Sequence, residues 1–316
     1  MHGCNIESDR ASDCPAMELS GSPTWRQASH LWRLLHRFSR FVGLIAALSV
    51  ASSLVSVGHA AIPAAERAVL QALYTSTNGA GWTTSTNWNG AAGTECTWFG
   101  VSCNAGDGNV TRIQLVDNHL VGTLPDLASL TALQHFFVYS NQLSGVIPAL
   151  TGLTALQFFR ADDNQLSGAI PVLTGLTTLQ IFAVDNNQLS GAIPALTGLT
   201  ALQYFFVGNN QLSGAIPALT GLTALQYFFI GNNQLSGAIP VAPVTLLANG
   251  STLCPNQLTA SVDTAWDTAT GNTPWSANCT AISTTIPTLS EWSLLLLAGL
   301  LGLAGMSAGV RRHFMR

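Results

Sequence analysis

The stretch LTALQFFRADDNQLSGAIP (153–171) recurs almost unchanged as LTTLQIFAVDNNQLSGAIP (176–194), and related stretches precede and follow this pair. One asparagine marks the period, because it returns every 23 residues. The series is Asn118, Asn141, Asn164, Asn187, Asn210 and Asn233. A unit of this length cannot bury its apolar face alone, so consecutive units stack into a solenoid. The spacing therefore predicts one repeat domain over 118–240.

Each unit predicts a short strand before its asparagine and a turn after it. Apolar side chains alternate along the segment before the asparagine, which is the pattern of a strand with one buried face. The following Gly-x-Ile-Pro segment leaves the sheet, because proline cannot donate a ladder hydrogen bond. The asparagine side chain points inward and must find backbone partners there. The sequence thus predicts a column of six asparagines that forms a hydrogen-bonded ladder.

Aligned on Asn164, the unit reads LxxLxxLxLxxNxLxGxIP with two substitutions. This resembles the plant-type leucine-rich repeat. The resemblance implies a β-rich solenoid of the α/β horseshoe class, with a parallel sheet on the concave side and 3-10 or irregular chain on the convex side.

Two flanking segments break the period. Residues 61–117, which include the block CTWFGVSC (96–103), resemble the N-terminal cap that precedes plant-type repeats. Residues 241–280 carry Trp266 and Trp275 and predict a C-terminal cap. Such caps cover the open ends of a solenoid. Because the caps lie at opposite ends, cysteines are expected to pair within each cap. The predicted disulfides are Cys96–Cys103 and Cys254–Cys279.

The first 60 residues predict export. Three arginines (33, 37 and 40) precede an apolar run at 41–57, which ends in the small residues Gly58-His59-Ala60. This order is typical of a secretory signal peptide cleaved after Ala60. An uncleaved anchor helix at 41–57 is the alternative, although ~17 residues is the short limit for spanning a bilayer. Translation from Met1 or from Met17 is compatible with this interpretation.

The C-terminal residues predict a membrane helix and a sorting signal. Residues 293–310 form an uncharged run, and the arginines within 311–316 predict a cytoplasmic tail. The preceding segment, 281–292, contains Ile286, Pro287, Thr288, Leu289, Ser290, Glu291 and Trp292. This motif, with the helix and arginines behind it, resembles the IPTL-CTERM sorting signal of Gram-negative bacteria. The resemblance implies a bacterial protein, tethered at the inner membrane until an exosortase-like protease removes the tail and releases it toward the cell surface or the extracellular space.

The charge of the chain limits the classes of partner that it can bind. Only 8% of the residues are charged, and none is a lysine. The expected exported part, 61–310, has three arginines against eleven acidic residues, a formal net charge of −8. A nucleic-acid partner is excluded on electrostatic grounds, because binding of phosphates requires a basic patch. Other anionic partners are disfavoured for the same reason.

Aromatic side chains crowd the predicted outer surface of the strands, which we call the concave face. Its positions lie six, four and two residues before each period-marking asparagine. The candidate ligand-binding residues are Tyr204, Phe206, Tyr227 and Phe229, with His135, Phe137, Tyr139 and Phe158 extending the surface. Large exposed apolar patches are rare without a partner, so we expect a protein or glycan ligand here. The alternative is a structural surface or matrix protein, whose near-identical units reflect duplication alone.

Two aspartates offer the best case for catalysis. Asp162 and Asp185 occupy the same phase of adjacent units, so their carboxylates approach the ~5 Å separation of a retaining glycosidase pair. An open sheet lacks the enclosing pocket of an active site, however. With Asp163 alongside, a weak calcium site or a solvated acidic patch is favoured. The sequence shows no phosphate-binding loop and no His/Glu metal spacing. It therefore predicts a protein that is not an enzyme and has no cofactor.

Overall fold

A computed structural model describes residues 61–106 and 108–279. The predicted signal peptide, the sorting motif and the predicted membrane helix lie outside the described residues. None of the helices within the described part has the length and apolar character that crossing a bilayer requires.

Two sheets run along the repeat domain. The strands of the first sheet are β1 (Val101–Cys103), β2 (Val110–Gln114), β4 (His135–Phe137), β6 (Phe158–Arg160), β8 (Ile181–Ala183), β10 (Tyr204–Phe206), β12 (Tyr227–Phe229) and β14 (Ser251–Thr252). The strands of the second sheet are β3 (Val121–Thr123), β5 (Gln142–Gly145), β7 (Gln165–Gly168), β9 (Gln188–Gly191), β11 (Gln211–Gly214), β13 (Gln234–Gly237) and β15 (Gln257–Leu258).

The first sheet confirms the parallel sheet that the period predicts. Only β1 is antiparallel to its neighbour, and every other pair in this sheet is parallel. Residues 23 positions apart lie opposite each other, as Tyr204 and Tyr227 do. Equivalent side chains of successive units therefore stand in columns along the solenoid.

The second sheet is a feature that the sequence pattern did not predict. It forms from the Gln-Leu-Ser-Gly segment directly after each asparagine, where the leucine is buried and the glutamine is exposed. Beyond it, the described repeats run through turns and irregular chain, and the 3-10 turns lie only in the flanking segments. The solenoid thus has two parallel sheets joined by irregular segments.

Stacked phenylalanines form the centre of the core. They are Phe136, Phe159, Phe182, Phe205 and Phe228, and each is 0% exposed. Neighbouring ring centroids lie 5.5 to 5.8 Å apart, with planes inclined by 14° to 18°. Leucines from the second sheet and from the irregular segments surround this column. The column continues into the C-terminal segment, where the ring of Trp266 lies 6.0 Å from that of Phe228.

The N-terminal segment covers the first rung with a helix and a cluster of tryptophans. Helix α1 spans Ala64–Ser76 and buries Glu66, whose carboxylate accepts hydrogen bonds from Asn109 Nδ2 (2.6 Å) and from the backbone N–H of Val110 (2.7 Å). An ion pair joins Arg67 to the buried Glu95. The disulfide Cys96–Cys103 closes this segment.

The C-terminal segment closes the other end. Helix α2 spans Thr264–Thr270 and begins at Asp263, whose side chain accepts hydrogen bonds from two backbone N–H groups of the first turn. The buried indole of Trp266 donates a hydrogen bond to the carbonyl of Pro240, and that of Trp275 donates to the carbonyl of Ser261. The disulfide Cys254–Cys279 ties the last strands to the end of the described chain. Both ends of the core are therefore covered.

Candidate ligand-binding face

The inner asparagine column holds adjacent rungs together. Asn210 is representative: its Nδ2 donates to the carbonyls of Val184, Val207 and Gly208 at 3.0 to 3.2 Å, and its Oδ1 accepts from the backbone N–H of Leu189 at 2.8 Å. At the N-terminal end, Asn118 bonds instead to the backbone of the cap at Thr84. The ladder also extends one rung further than its six predicted members, because Asn256 makes equivalent bonds 23 residues after Asn233. This column fixes the backbone beneath the concave face.

A second amide ladder, which sequence reasoning missed, runs along the edge of the concave face. Asn232 donates to Asn209, Asn209 to Asn186, and Asn186 to Asp163, over 2.6 to 2.8 Å. All four residues have positive φ, between 52° and 56°. Asparagine and aspartate tolerate this left-handed conformation better than other side chains. Their recurrence just before the inner asparagines was the signal that could have revealed the ladder.

The predicted ligand-binding aromatic residues fall into two groups on the first sheet. The N-terminal aromatic group is His135, Phe137, Tyr139 and Phe158. The C-terminal aromatic group is Tyr204, Phe206, Tyr227 and Phe229. All eight side chains are partly exposed. Strand β8 separates the groups, because it carries Ile181 and the buried Ala183 instead of rings.

The rings are oriented differently from the flat surface that the residue types suggest. Tyr204 and Tyr227 stack with centroids 4.9 Å apart and planes within 6°, and His135 and Phe158 stack at 4.8 Å and 7°. These spacings equal the distance between neighbouring strands, ~4.8 Å. The faces of these four rings therefore cover one another along the solenoid, whereas Phe206 and Phe229 meet edge to face, with centroids 4.9 Å apart and planes inclined by 77°. At the tyrosines a ligand meets ring edges and two hydroxyls, for which the described chain supplies no hydrogen-bond partner.

The glycines beside the C-terminal aromatic group do not leave the backbone accessible. Gly208 and Gly231 lie two residues before their asparagines, where the lack of side chains in the sequence predicts a bare column that a partner could approach. Both are buried. A Cβ on Gly208 would meet the carbonyl oxygen of Gly231 at 3.1 Å, so the two backbones already pack closely. The accessible part of this face is formed by the rings.

An ion pair between the two aromatic groups removes two side chains from the exposed surface. Arg160 and Asp162 are only 6% and 5% exposed, although their phase places both on the concave face. Arg160 binds both carboxylate oxygens of Asp162, through Nε at 3.0 Å and through one terminal nitrogen at 2.6 Å. The ring of Tyr139 lies 3.8 Å from the guanidinium carbon. Tyr139 therefore covers a buried ion pair, in addition to bordering the candidate site.

The acidic cluster, Asp162, Asp163 and Asp185, lies beside this pair. Burial raises the pKa of Asp185 well above its ordinary value, and the negative charges of Asp162 and Asp163 raise it further. Burial also raises the pKa of Asp162, although Arg160 opposes this shift. In the N-terminal aromatic group, burial and the nearby Arg112 lower the pKa of His135. The histidine is thus neutral at physiological pH.

This geometry does not favour the glycosidase alternative. Asp162 is held by both oxygens in the ion pair with Arg160, so neither oxygen is poised to attack a substrate. Asp185 instead accepts a hydrogen bond from Asn186 at 3.1 Å. Across residues 61–106 and 108–279, no group of three or more histidine, cysteine or acidic side chains is arranged to hold a metal ion. What the face offers is a surface for contact.

Comparison with known families identifies two segments of the chain. Residues 63–104 match the leucine rich repeat N-terminal domain, and residues 284–312 match the IPTL-CTERM motif. The chain therefore carries both elements, as its sequence predicted. None of the curated proteins compared with the chain matches it.

The solenoid is similar to solved leucine-rich-repeat ectodomains of plants. One is the structure of a Pollen Receptor Kinase 3, which is 29% identical, with 62% of this chain and 96% of that chain covered and a TM-score of 0.51. Another is the ectodomain of the membrane receptor kinase GASSHO1/SCHENGEN3 from Arabidopsis thaliana in complex with CASPARIAN STRIP INTEGRITY FACTOR 2. It is 28% identical, with 65% of this chain but only 28% of that chain covered and a TM-score of 0.51. The likeness and the motif together point to an exported or cell-surface protein that resembles a binding ectodomain.

Proposed function

We propose that this chain is an exported binding module whose concave face recognises a polypeptide or glycan ligand, and that it is not an enzyme. The observation that carries the proposal is the pair of partly exposed aromatic groups on one sheet. Exposed aromatic patches of this kind mark interaction sites more often than inert surface. The GASSHO1/SCHENGEN3 ectodomain, which binds CASPARIAN STRIP INTEGRITY FACTOR 2, offers a precedent for this use of the fold.

The outward ring edges suit a ligand that combines apolar contact with hydrogen bonding. Tyr204 and Tyr227 each present an aromatic edge and a hydroxyl, and tyrosine is enriched in interfaces because it combines both. Six rungs separated by ~4.8 Å make the face about 24 Å long between its outer strands. This length accommodates an extended segment, whereas a broad protein interface would need more area.

Replacing Tyr204 and Tyr227 together by alanine is expected to weaken ligand binding at least about tenfold, as is typical when interface tyrosines are truncated. Folding should be nearly unchanged, because both side chains point away from the core. Binding is measured on peptide and glycan arrays with the full chain, followed by titration of each positive probe. The matched control is Gln211→Ala with Gln234→Ala, in the same two rungs but on the second sheet.

The two variants distinguish a specific face from a structural surface protein. The control should bind like the parent. If the tyrosine variant also binds every positive probe as tightly as the parent, the aromatic columns are a product of duplication. The fifth and sixth rungs are nearly identical in sequence, with ALQYFF at 201–206 and at 224–229, which is the observation that favours this second candidate function.

We also propose that the IPTL-CTERM motif directs removal of the C-terminal tail by an exosortase-like protease, after export through the signal peptide and temporary tethering at the inner membrane. Deleting 286–316 is then expected to change the destination of the protein without changing its thermal unfolding midpoint, since the C-terminal disulfide closes at Cys279. Cell fractionation and intact-mass measurement check this prediction. Surface material that still ends in Arg316 would instead indicate permanent anchoring.

A further inference from the structure

Two carboxylates of the acidic cluster form no ion pair within the described residues. Arg160 directs its side chain to Asp162 with two hydrogen bonds. Asp163 and Asp185 instead share a single neutral donor, the Nδ2 of Asn186, at 2.8 and 3.1 Å. Neither of these two carboxylates has an ion pair within the described residues. Two carboxylates therefore lie close together at the edge of the concave face, and Arg160 acts on Asp185 through space without an ion pair to it.

The cluster lies directly beside the C-terminal aromatic group. Asp185 follows strand β8, and β8 pairs in register with β10, which carries Tyr204 and Phe206. Strand β12, with Tyr227 and Phe229, is the next neighbour. In this register Asp185 aligns with Gly208, one strand spacing across and two residues along from Phe206, which places it ~8 Å from that position and ~14 Å from Tyr204. Charge and apolar surface form one continuous patch on the same sheet.

We propose that the ligand of the concave face is an extended polypeptide segment with an arginine or lysine that pairs with Asp185 and Asp163, followed or preceded by a large apolar side chain that packs on the C-terminal aromatic group. This inference rests on the proposed function and names the chemistry of the partner. A cationic side chain supplies the donors that the two carboxylates lack, and charge-assisted hydrogen bonds are the stronger kind. A neutral glycan offers no such charge.

The distances set the spacing between the two groups of the ligand. An extended chain advances ~3.3 Å per residue, so the ~8 Å between Asp185 and Phe206, the nearest ring of the group, corresponds to about two to three residues. The basic and the apolar side chain should therefore be separated by about two to three positions along the segment. The formal net charge of −8 over 61–310 favours a basic partner more generally, because complementary charge accelerates association.

Binding of a cation also has a definite pH dependence. Burial and the charges of Asp162 and Asp163 raise the pKa of Asp185, and the charge of Arg160 opposes this shift. The ligand pairs with the ionised carboxylate, so affinity is full above the raised pKa and is lost as pH falls through it. The uncharged variant Asp185→Asn should be as stable as the parent or more so at neutral pH, because it removes a desolvated charge near two like charges.

The test uses the full chain with synthetic peptide libraries and a neutral oligosaccharide, cellohexaose. The peptides fix one arginine and one tryptophan, separated by one to five positions, and matched libraries carry glutamine in place of the arginine. We expect the parent to prefer the arginine libraries by about tenfold, with a maximum at a separation of two to three. Asp185→Asn should abolish this preference. The matched control, Asp117→Asn, changes an exposed aspartate near the N-terminal end of the same face and should retain it.

The outcomes separate this inference from the proposed function. If the arginine preference is absent, or persists in Asp185→Asn, the cation site is wrong. If cellohexaose alone binds and Tyr204→Ala with Tyr227→Ala abolishes that binding, the polypeptide inference fails and the proposed function stands. If every probe binds the tyrosine variant as tightly as it binds the parent, the proposed function fails as well.

Discussion

Replacement of Phe205 by alanine should lower the free energy of unfolding by about 3 to 5 kcal/mol, the range for truncating a buried phenylalanine. Phe205 is 0% exposed and lies between two stacked neighbours, Phe182 at 5.8 Å and Phe228 at 5.6 Å. Removing its ring leaves a cavity in the centre of the column. The rungs on both sides are held by their own sheets and ladders, so they cannot collapse to fill it.

The next residue in the chain provides the control. Phe206 belongs to the same strand but points to the concave face, where it is partly exposed. Phe206→Ala should therefore cost less than half as much. Urea denaturation followed by circular dichroism measures both changes, and the slope of the transition shows whether each variant still unfolds cooperatively. Equal losses for the two variants would contradict the assignment of the inner column as the centre of the core.

A loss of about 3 kcal/mol is expected for Asn210→Ala, which removes one rung of the inner ladder. The substitution removes one of two donors from each of three carbonyls, which keep bonds from Asn187, Asn233 and Asn186, and it leaves the N–H of Leu189 without its acceptor. A buried N–H without a partner costs about 1 to 3 kcal/mol, and the three lost donor bonds add to this cost. Asn210→Asp should cost at least as much, because it retains an acceptor for Leu189 but places a carboxylate oxygen against the three carbonyl oxygens.

The outer ladder supplies a matched control for this prediction. Asn209 is adjacent in the chain, has φ of 52°, and donates to Asn186 at 2.7 Å. Glycine adopts this backbone conformation without strain, so Asn209→Gly removes the two ladder bonds of this side chain, to Asn186 and from Asn232, and little else. We expect it to cost less than about 1 kcal/mol, since the side chain reaches solvent. Thermal and urea unfolding measure both variants. An Asn209→Gly variant as unstable as Asn210→Ala would mean that both ladders stabilise the solenoid equally.

Much of the fold follows from the 23-residue period. The period places equivalent residues in columns, so it predicts the parallel first sheet, the inward asparagines and the position of the concave face. Both disulfides, Cys96–Cys103 and Cys254–Cys279, join cysteines within the segments to which their positions assign them. These features depend only on which residues recur together, and recurrence is visible in one sequence.

Other features depend on contacts between rungs, which recurrence does not describe. The second sheet forms because the Gln-Leu-Ser-Gly segments of successive rungs come close enough to pair, although the segment has neither the length nor the β-branched residues of a typical strand. The outer amide ladder forms because the left-handed backbone of Asn186 and its equivalents directs their side chains along the solenoid. Neither feature alters the hydrophobic pattern from which strands are predicted.

Contacts between rungs also determine how the side chains of the concave face are arranged. Position within the repeat places Tyr204, Tyr227, Arg160 and Asp185 on one surface. It does not determine how their side chains are oriented there. Strand spacing is close to the distance at which rings stack, so the tyrosines cover each other's faces and present their edges. Arg160 pairs with the carboxylate on its own rung, so Asp185 on the next rung forms no ion pair within the described residues. Side chains of neighbouring rungs compete for the same partners across ~5 Å, and only the three-dimensional arrangement determines which contacts form.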